Sequence, residues 1–139
     1  MTTINVAESK LKAMDGYYSQ LLEYRKYPQD KLKNDPTLKA ALERYLYLLC
    51  QSAIDLGETV IALKDFYRPG SYSEIFQTLK EKQIISPELA QKLIKMTGFR
   101  NAIIHDYQKF EFSVAYQVLM VGIEDIKEFE STIKNYLNL

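Results

Sequence analysis

One long apolar stripe at helical spacing limits the fold of this chain more than any other feature. It follows Asp35-Pro36, an N-cap residue before a proline at the first helical position, and continues to about Asp65. A helix this long must bury its stripe against other elements, and no segment alternates as a strand does. The stripe steps by three or four residues through Leu38, Leu42, Tyr45, Leu49, Ala53, Leu56, Val60 and Leu63.

The remaining segments also read as helices. Ser71 precedes Glu74 at the spacing of a capping box, and Ser86-Pro87 is a second start signal. A polar loop is expected up to Asn34. The expected fold is all-α, a single domain over residues 1–139, built as an antiparallel bundle of four main helices and one short helix. Besides the long helix, the expected spans are 5–26, a short helix from 71 to 82, a helix that starts at 86 and carries the stretch 98–107, and 113–136.

Charge and cysteine content narrow the function classes. Eighteen basic and eighteen acidic residues cancel, so a nucleic-acid enzyme would need a local basic surface or a second subunit. No apolar run is long enough to span a bilayer, and Met1 to Lys12 has no signal-peptide pattern. The single cysteine, Cys50, cannot form an intrachain disulfide. We therefore expect a cytoplasmic protein without membrane contact.

The stretch from Gly98 to Tyr107 contains the only histidine, His105, together with Arg100 and Asn101. RNA carries its own nucleophile, the 2′-hydroxyl, so its cleavage needs a base near neutral pH and a positive charge at the phosphorus. His105 suits the first role and Arg100 the second, while Asn101 could orient the phosphate or hold the histidine. One His, one Cys and no carboxylate pair beside them leave no evident metal cluster, so we expect neither a metal nor another cofactor. A metal-independent ribonuclease centre is one interpretation.

Simpler interpretations stay open at this point. A lone histidine near a helix end is also typical of a C-terminal cap or a satisfied core residue, and Arg-x4-His occurs by chance. The polar side of the long helix is either a solvated face or the border of a cleft or subunit interface, in which case Asp55 is the candidate partner of a cation. That polar side consists of Arg44, Tyr47, Gln51, Asp55 and Glu58.

Helical geometry places Arg100 in the middle of an apolar stripe, where an unpaired arginine would be very costly. Arg100 needs hydrogen-bond acceptors or a carboxylate there, or else an open groove. Arg100 and His105 are five residues apart, which is roughly 140° around an ideal helix. A helix that ends near His105, a bend after Gly98, or a second subunit across a two-fold axis would bring them together. The geometry therefore predicts a homodimer.

The segment Arg100–Tyr107 resembles the R-x4-H-x-Y motif of HEPN-domain proteins, and specifically the HepT toxin family. The resemblance spans nearly the whole chain, and we find no departure in the motif itself. Leu42-Glu43-Arg44 with Ala53-Ile54-Asp55 is similar to the second helix of that family. Tyr72, Ile75, Phe76 and Leu79 are similar to its third helix, and Met96-Thr97-Gly98-Phe99 leads into the motif.

This resemblance implies a homodimeric α-helical ribonuclease toxin with its cleft at the dimer interface. Arg100 and His105 would be the catalytic pair and Asn101 the polar residue beside it. It also implies a partner, an MntA-like nucleotidyltransferase antitoxin, which would silence the toxin by transferring AMP to Tyr107. The competing hypothesis is a non-catalytic module that docks the nucleotidyltransferase, with Arg100 and His105 serving binding or stability. A purely structural bundle is a third.

Overall fold

The computed structural model of the protein describes residues 3–105 and 111–139, and every regular element in these two segments is helical. The expected all-α class is confirmed. The elements are α1 (Thr3–Tyr24), α2 (Gln29–Asn34), α3 (Pro36–Leu63), α4 (Tyr72–Glu81), α5 (Pro87–His105), α6 (Phe112–Gln117), a π-helical turn (Val118–Gly122) and α7 (Ile123–Leu137).

Helix α3 is the centre of the bundle. It packs against α1, α2, α4, α5 and α7, and most of its predicted apolar stripe is buried. Its first turn is capped by the Asp35 carboxylate, which accepts hydrogen bonds from the backbone N–H groups of Thr37 (3.0 Å) and Leu38 (3.2 Å). The backbone bond from Leu38 and the Lys31 side chain lower the pKa of Asp35. The start predicted from Asp35-Pro36 is confirmed.

The two serine start signals are also confirmed. The Ser71 hydroxyl accepts from the Glu74 N–H at 3.2 Å, and the Ser86 hydroxyl accepts from the Leu89 N–H at 3.1 Å. Each bond satisfies one of the backbone donors that a helix leaves unpaired in its first turn.

The expectation that no segment could span a bilayer was wrong for α3. By length and composition this helix is apolar enough, with a mean hydropathy of 1.4 in its most apolar window. Yet 61% of that window is buried inside the protein, and the core helix of a soluble domain meets the same criterion. Such a helix alone is weak evidence for a membrane span.

The polar loop expected up to Asn34 is instead the short helix α2. Its single apolar residue, Leu32, is fully buried and anchors the turn against the core. One leucine in a polar run has no periodicity, so pattern alone could not reveal this helix.

The last predicted helix contains a π-helical turn at Val118–Gly122, where one extra residue widens the backbone. Arg25, the residue after α1, contacts two carbonyls of this turn: its Nε donates to the Leu119 oxygen at 2.9 Å and its Nη2 to the Met120 oxygen at 3.3 Å. The same Nη2 lies 3.0 Å from the Glu124 carboxylate. A side chain inserted into the helical ladder is a known cause of such irregularities.

Gly57 allows α4 to lie unusually close to α3. A Cβ at this position would lie 2.6 Å from the Ile75 Cγ2 atom, and a β-branched side chain in a helix has little freedom to move away. At Gly16 of α1 a Cβ would meet nothing within 4 Å.

We expect Gly57→Ala to lower the free energy of unfolding by about 1–2 kcal/mol, because the overpacking outweighs the better helix propensity of alanine. The matched control, Gly16→Ala, should raise it by about 0.5–1 kcal/mol. Urea denaturation followed by circular dichroism measures both. A stabilised Gly57→Ala variant would contradict the close approach of α3 and α4.

Candidate functional site

Arg100 lies half-buried where α3, α4 and α5 meet. Its Nε donates to the Gln51 side-chain oxygen at 2.8 Å, and its Nη1 donates to the Asn101 side-chain oxygen at 3.0 Å. The guanidinium carbon lies 5.6 Å from the ring centroid of Tyr47 and 5.2 Å from that of Tyr72. Amide oxygens and aromatic faces thus surround the charge that the sequence placed on the apolar side of α5.

The local structure explains why these groups converge. Tyr47 and Gln51 are four residues apart on α3 and therefore share one face of it. Tyr72 is the first residue of α4, one turn before Ile75, which packs on Gly57. The close approach that Gly57 permits therefore brings the Tyr72 ring toward Arg100.

Gln51 is held from both sides. While its oxygen accepts from Arg100, its Nε2 donates to Asp55 Oδ1 at 2.9 Å. The other oxygen of Asp55 lies 3.4 Å from Lys10 Nζ of α1. The cation that contacts Asp55 is thus Lys10, and Asp55 is linked to Arg100 only through the Gln51 amide. This chain of contacts fixes the amide plane and so the orientation of the guanidinium.

A local basic surface exists here despite the zero net charge. The exposed Arg44 places its guanidinium carbon 5.4 Å from the Tyr47 centroid, so Arg44 and Arg100 both contact one ring. Within residues 3–105 and 111–139, no carboxylate forms an ion pair with either arginine. Unneutralised guanidinium groups beside an aromatic ring suit a phosphate-bearing ligand.

His105 is the last residue of α5 and is exposed, whereas Arg100 faces the junction with α3 and α4. Helix α5 continues without interruption through Gly98. In the described segments no hydrogen bond joins His105 to Arg100. The structure therefore brings Arg100 and Asn101 together, whereas His105 lies one helical turn after Asn101 and makes no described hydrogen bond to Arg100. Tyr107 lies outside the described residues.

Cys50 lies in the core next to Gln51 and cannot act as a nucleophile. Complete burial raises the pKa of its thiol to about 12, although the nearby charge of Arg100 acts in the opposite direction. The thiol is therefore protonated at neutral pH. Across the described ranges, no group of three or more His, Cys, Asp or Glu residues is arranged to hold a metal ion.

Sequence reasoning did not identify the partners of Arg100. Gln51 and Tyr47 were noted only as members of a polar stripe, and Tyr72 only as part of the family resemblance. A signal was present, because Tyr47, Gln51 and Asp55 are spaced by four on α3. The sequence did not predict that this face of α3 packs against α5 at Arg100.

Comparison with known proteins supports the resemblance. The family model described as Ribonuclease HepT-like matches residues 14–133. The tRNA nuclease HepT of Aphanizomenon flos-aquae is 24% identical over 139 residues, which cover 99% of this chain and 95% of that protein. The mRNA nuclease HepT of Shewanella oneidensis is 29% identical over 104 residues, which cover 75% of this chain and 78% of that protein.

A solved structure has the same fold. It is the tri-AMPylated Shewanella oneidensis HEPN toxin in complex with MNT antitoxin, which superposes with a TM-score of 0.87 at 24% sequence identity. The match covers 97% of this chain and 99% of that one. The helical arrangement described above is therefore the fold of that solved structure.

Proposed function

The chain belongs to the HepT-like ribonuclease family, and we propose that it is the ribonuclease toxin of a toxin–antitoxin pair. The observation that carries this proposal is the state of Arg100. Its guanidinium is held by Gln51, Asn101 and two tyrosine faces, with no carboxylate among the described residues to neutralise it. A fixed, unneutralised charge of this kind is what a phosphorane transition state requires.

In the proposed reaction His105 takes the proton of an RNA 2′-hydroxyl, and the 2′-oxygen attacks the adjacent phosphorus. Arg100 stabilises the negative charge on the phosphoryl oxygens, with Asn101 beside it. The bond from phosphorus to the 5′-oxygen breaks, and a protonated histidine supplies the proton of this leaving oxygen. The products are a 2′,3′-cyclic phosphate and a 5′-hydroxyl. The RNA supplies the nucleophile, so no metal ion is needed.

The active unit in this proposal is a homodimer. Arg100 faces the α3–α4–α5 junction, while His105 is exposed at the end of the same helix, roughly 140° away around an ideal helix. A two-fold axis beside the end of α5 would place His105 of one protomer near Arg100 of the other. Each of the two equivalent sites then contains one histidine, which accepts the 2′-hydroxyl proton and afterwards donates it to the leaving 5′-oxygen.

The regulatory partner in this proposal is an MntA-like nucleotidyltransferase antitoxin, which transfers AMP to Tyr107. The neighbouring structure, an AMPylated toxin bound to an antitoxin, supports this assignment. An AMP group carries a phosphodiester charge and a bulky base, so it would repel and block RNA near His105.

The similar nucleases are named for tRNA in one case and mRNA in the other, so the RNA class is left open. Because these relatives are nucleases, catalysis is favoured over a binding module. We place the protein in the cytoplasm.

We expect Arg100→Lys to slow RNA cleavage about 10²–10³-fold, because lysine keeps the charge but not the fork held by Gln51. His105→Ala should slow it about 10²–10⁴-fold. Arg44→Lys is the matched control, because Arg44 contacts the same Tyr47 ring without the amide contacts that hold the Arg100 fork. The proposal asks only a nearby positive charge of Arg44, which lysine keeps, so the rate should stay within about twofold of wild type.

The measurement is the initial rate of cleavage of a labelled RNA with and without EDTA, together with the mass of the product. A 2′,3′-cyclic phosphate formed at an unchanged rate in EDTA is the expected result. Wild-type cleavage by His105→Ala, or loss of cleavage in EDTA, would refute the mechanism.

A second prediction concerns the shared site. An equimolar, co-refolded mixture of Arg100→Ala and His105→Ala chains should regain about a quarter of the wild-type rate. Half of the dimers in this mixture contain one chain of each kind, and each mixed dimer has one intact site out of two. Each variant alone should remain inactive. If both groups acted within one protomer, no mixed dimer would contain an intact site. A mixture as inactive as its components would therefore exclude the cross-subunit arrangement.

The third prediction concerns Tyr107. Co-expression with a cognate nucleotidyltransferase should add one or more AMP units to the intact mass of the chain, and Tyr107→Phe should abolish the addition at this position because it lacks the acceptor oxygen. Peptide mass spectrometry locates the modification. AMP on the Tyr107→Phe chain at an unchanged level, or no mass gain in the wild type, would contradict AMP transfer to Tyr107.

A further inference from the structure

A surface depression adjoins the wall of the Arg100 site. It has a volume of about 440 Å³ and lies between the end of α3 and the start of α4, with Glu58, Phe66, Arg68 and Tyr72 in its lining. Tyr72 belongs to both places, because its ring also contacts the Arg100 guanidinium. A ligand that extends from Arg100 past Tyr72 therefore enters this depression.

The loop from Phe66 to Gly70, which borders the depression, is held at both ends. The Phe66 N–H donates to the Ile61 carbonyl at 3.0 Å, and Lys82 Nζ lies 4.9 Å from the Phe66 ring centroid. At the other end the Gly70 N–H donates to the Glu74 carboxylate at 2.6 Å. These anchors hold the loop in place before any ligand binds, which lowers the entropy cost of binding.

Between the two anchors, the loop presents an aromatic and a basic side chain to solvent. Tyr67 is 94% exposed, the most exposed large apolar side chain among the described residues, and its neighbour Arg68 is also exposed. An exposed ring beside a cation is the combination with which proteins bind single-stranded nucleic acid. Bases stack on the ring, and the cation binds the backbone phosphate.

We propose that the loop Phe66–Gly70 is a nucleotide subsite for the RNA strand that is cut at Arg100. Arg68 lines the depression and binds a phosphate of this strand. One base stacks on Tyr67, which lines a neighbouring depression that shares Pro69 with the first and also contains Glu74, Glu81 and Lys82. The Glu58 carboxylate on the opposite wall repels phosphate, so the backbone follows the Arg68 side and a base faces Glu58. The proposal rests on the proposed ribonuclease function, and it identifies the ligand as single-stranded RNA that continues past Tyr72.

Binding is tested separately from cleavage, in full-length His105→Ala protein. The probe is a fluorescein-labelled, single-stranded RNA of mixed sequence and about 12 nucleotides, followed by fluorescence anisotropy. Adding Tyr67→Ala should weaken binding about tenfold, whereas Tyr67→Phe should bind within about twofold of the parent because the stacking face remains. Arg68→Ala should weaken binding and lower the salt slope by about one.

Tyr27→Ala is the matched control, since Tyr27 is also an exposed tyrosine but lies before α3, at the end remote from the loop. Tyr27→Ala should bind RNA as tightly as the parent.

In the active protein, Tyr67→Ala should raise KM without lowering kcat, as expected when the lost contact binds substrate and transition state equally. If the chain were not a ribonuclease, wild-type protein would show no cleavage while the anisotropy result would still stand.

Three results would overturn the subsite. Tyr67→Ala could bind RNA as tightly as its parent, or Tyr27→Ala could lose as much affinity as Tyr67→Ala. Tyr67→Ala could also keep its RNA affinity but lose binding to the purified antitoxin, which would assign the loop to a protein partner instead.

Discussion

The arrangement of α3, α4 and α5 depends on satisfying a charge that cannot be removed. Arg100 lies half-buried, so the helices around its guanidinium must supply acceptors or π faces. Gln51 supplies the acceptor, and Tyr47 and Tyr72 supply the faces. Each comes from α3 or α4, so the position of one guanidinium couples three helices.

Arg100 and Arg25 differ in whether their partners are neutral or charged. Arg25 also joins separate elements, but it binds two backbone carbonyls and pairs with the Glu124 carboxylate at 3.0 Å. Its charge is neutralised, as suits a structural role at the π-helical turn. Arg100 is instead held by neutral groups, and the carboxylate of this network, Asp55, contacts it only through Gln51. Neutral partners fix its geometry while leaving its charge available to a phosphate.

The sequence predicted most of the fold because its signals are local. Capping by Asp35, Ser71 and Ser86 is decided by residues two or three positions apart, and the α3 stripe is a property of one segment. The short helix α2 and the π-helical turn were missed because their causes are distant in sequence. Helix α2 depends on the burial of Leu32 in the core, and the π-helical turn depends on the hydrogen bond from Arg25 to the Leu119 carbonyl.

The same division applies to the candidate site. A motif could predict Arg100, Asn101 and His105, because they lie within six consecutive residues of the chain. Gln51, Tyr47 and Tyr72 could not be assigned, because their role arises only where α3 and α4 meet α5. Asp55 shares a hydrogen bond with Gln51 on the polar face of α3, and the cation that it contacts directly is Lys10. Which groups share a helix face is local information, whereas which faces meet is not.

A neutral chain with a local positive site has a consequence for control. With eighteen basic and eighteen acidic residues the chain has no net charge to attract RNA over a distance, so in the proposed function RNA binding depends on the few charges near Arg100 and Arg44. One added phosphodiester group cancels a large part of this small local positive charge. On a strongly basic surface the same group would cancel only a small part of the charge that binds RNA. A nuclease that must be silenced by a single modification is therefore better built on a neutral fold than on a basic one.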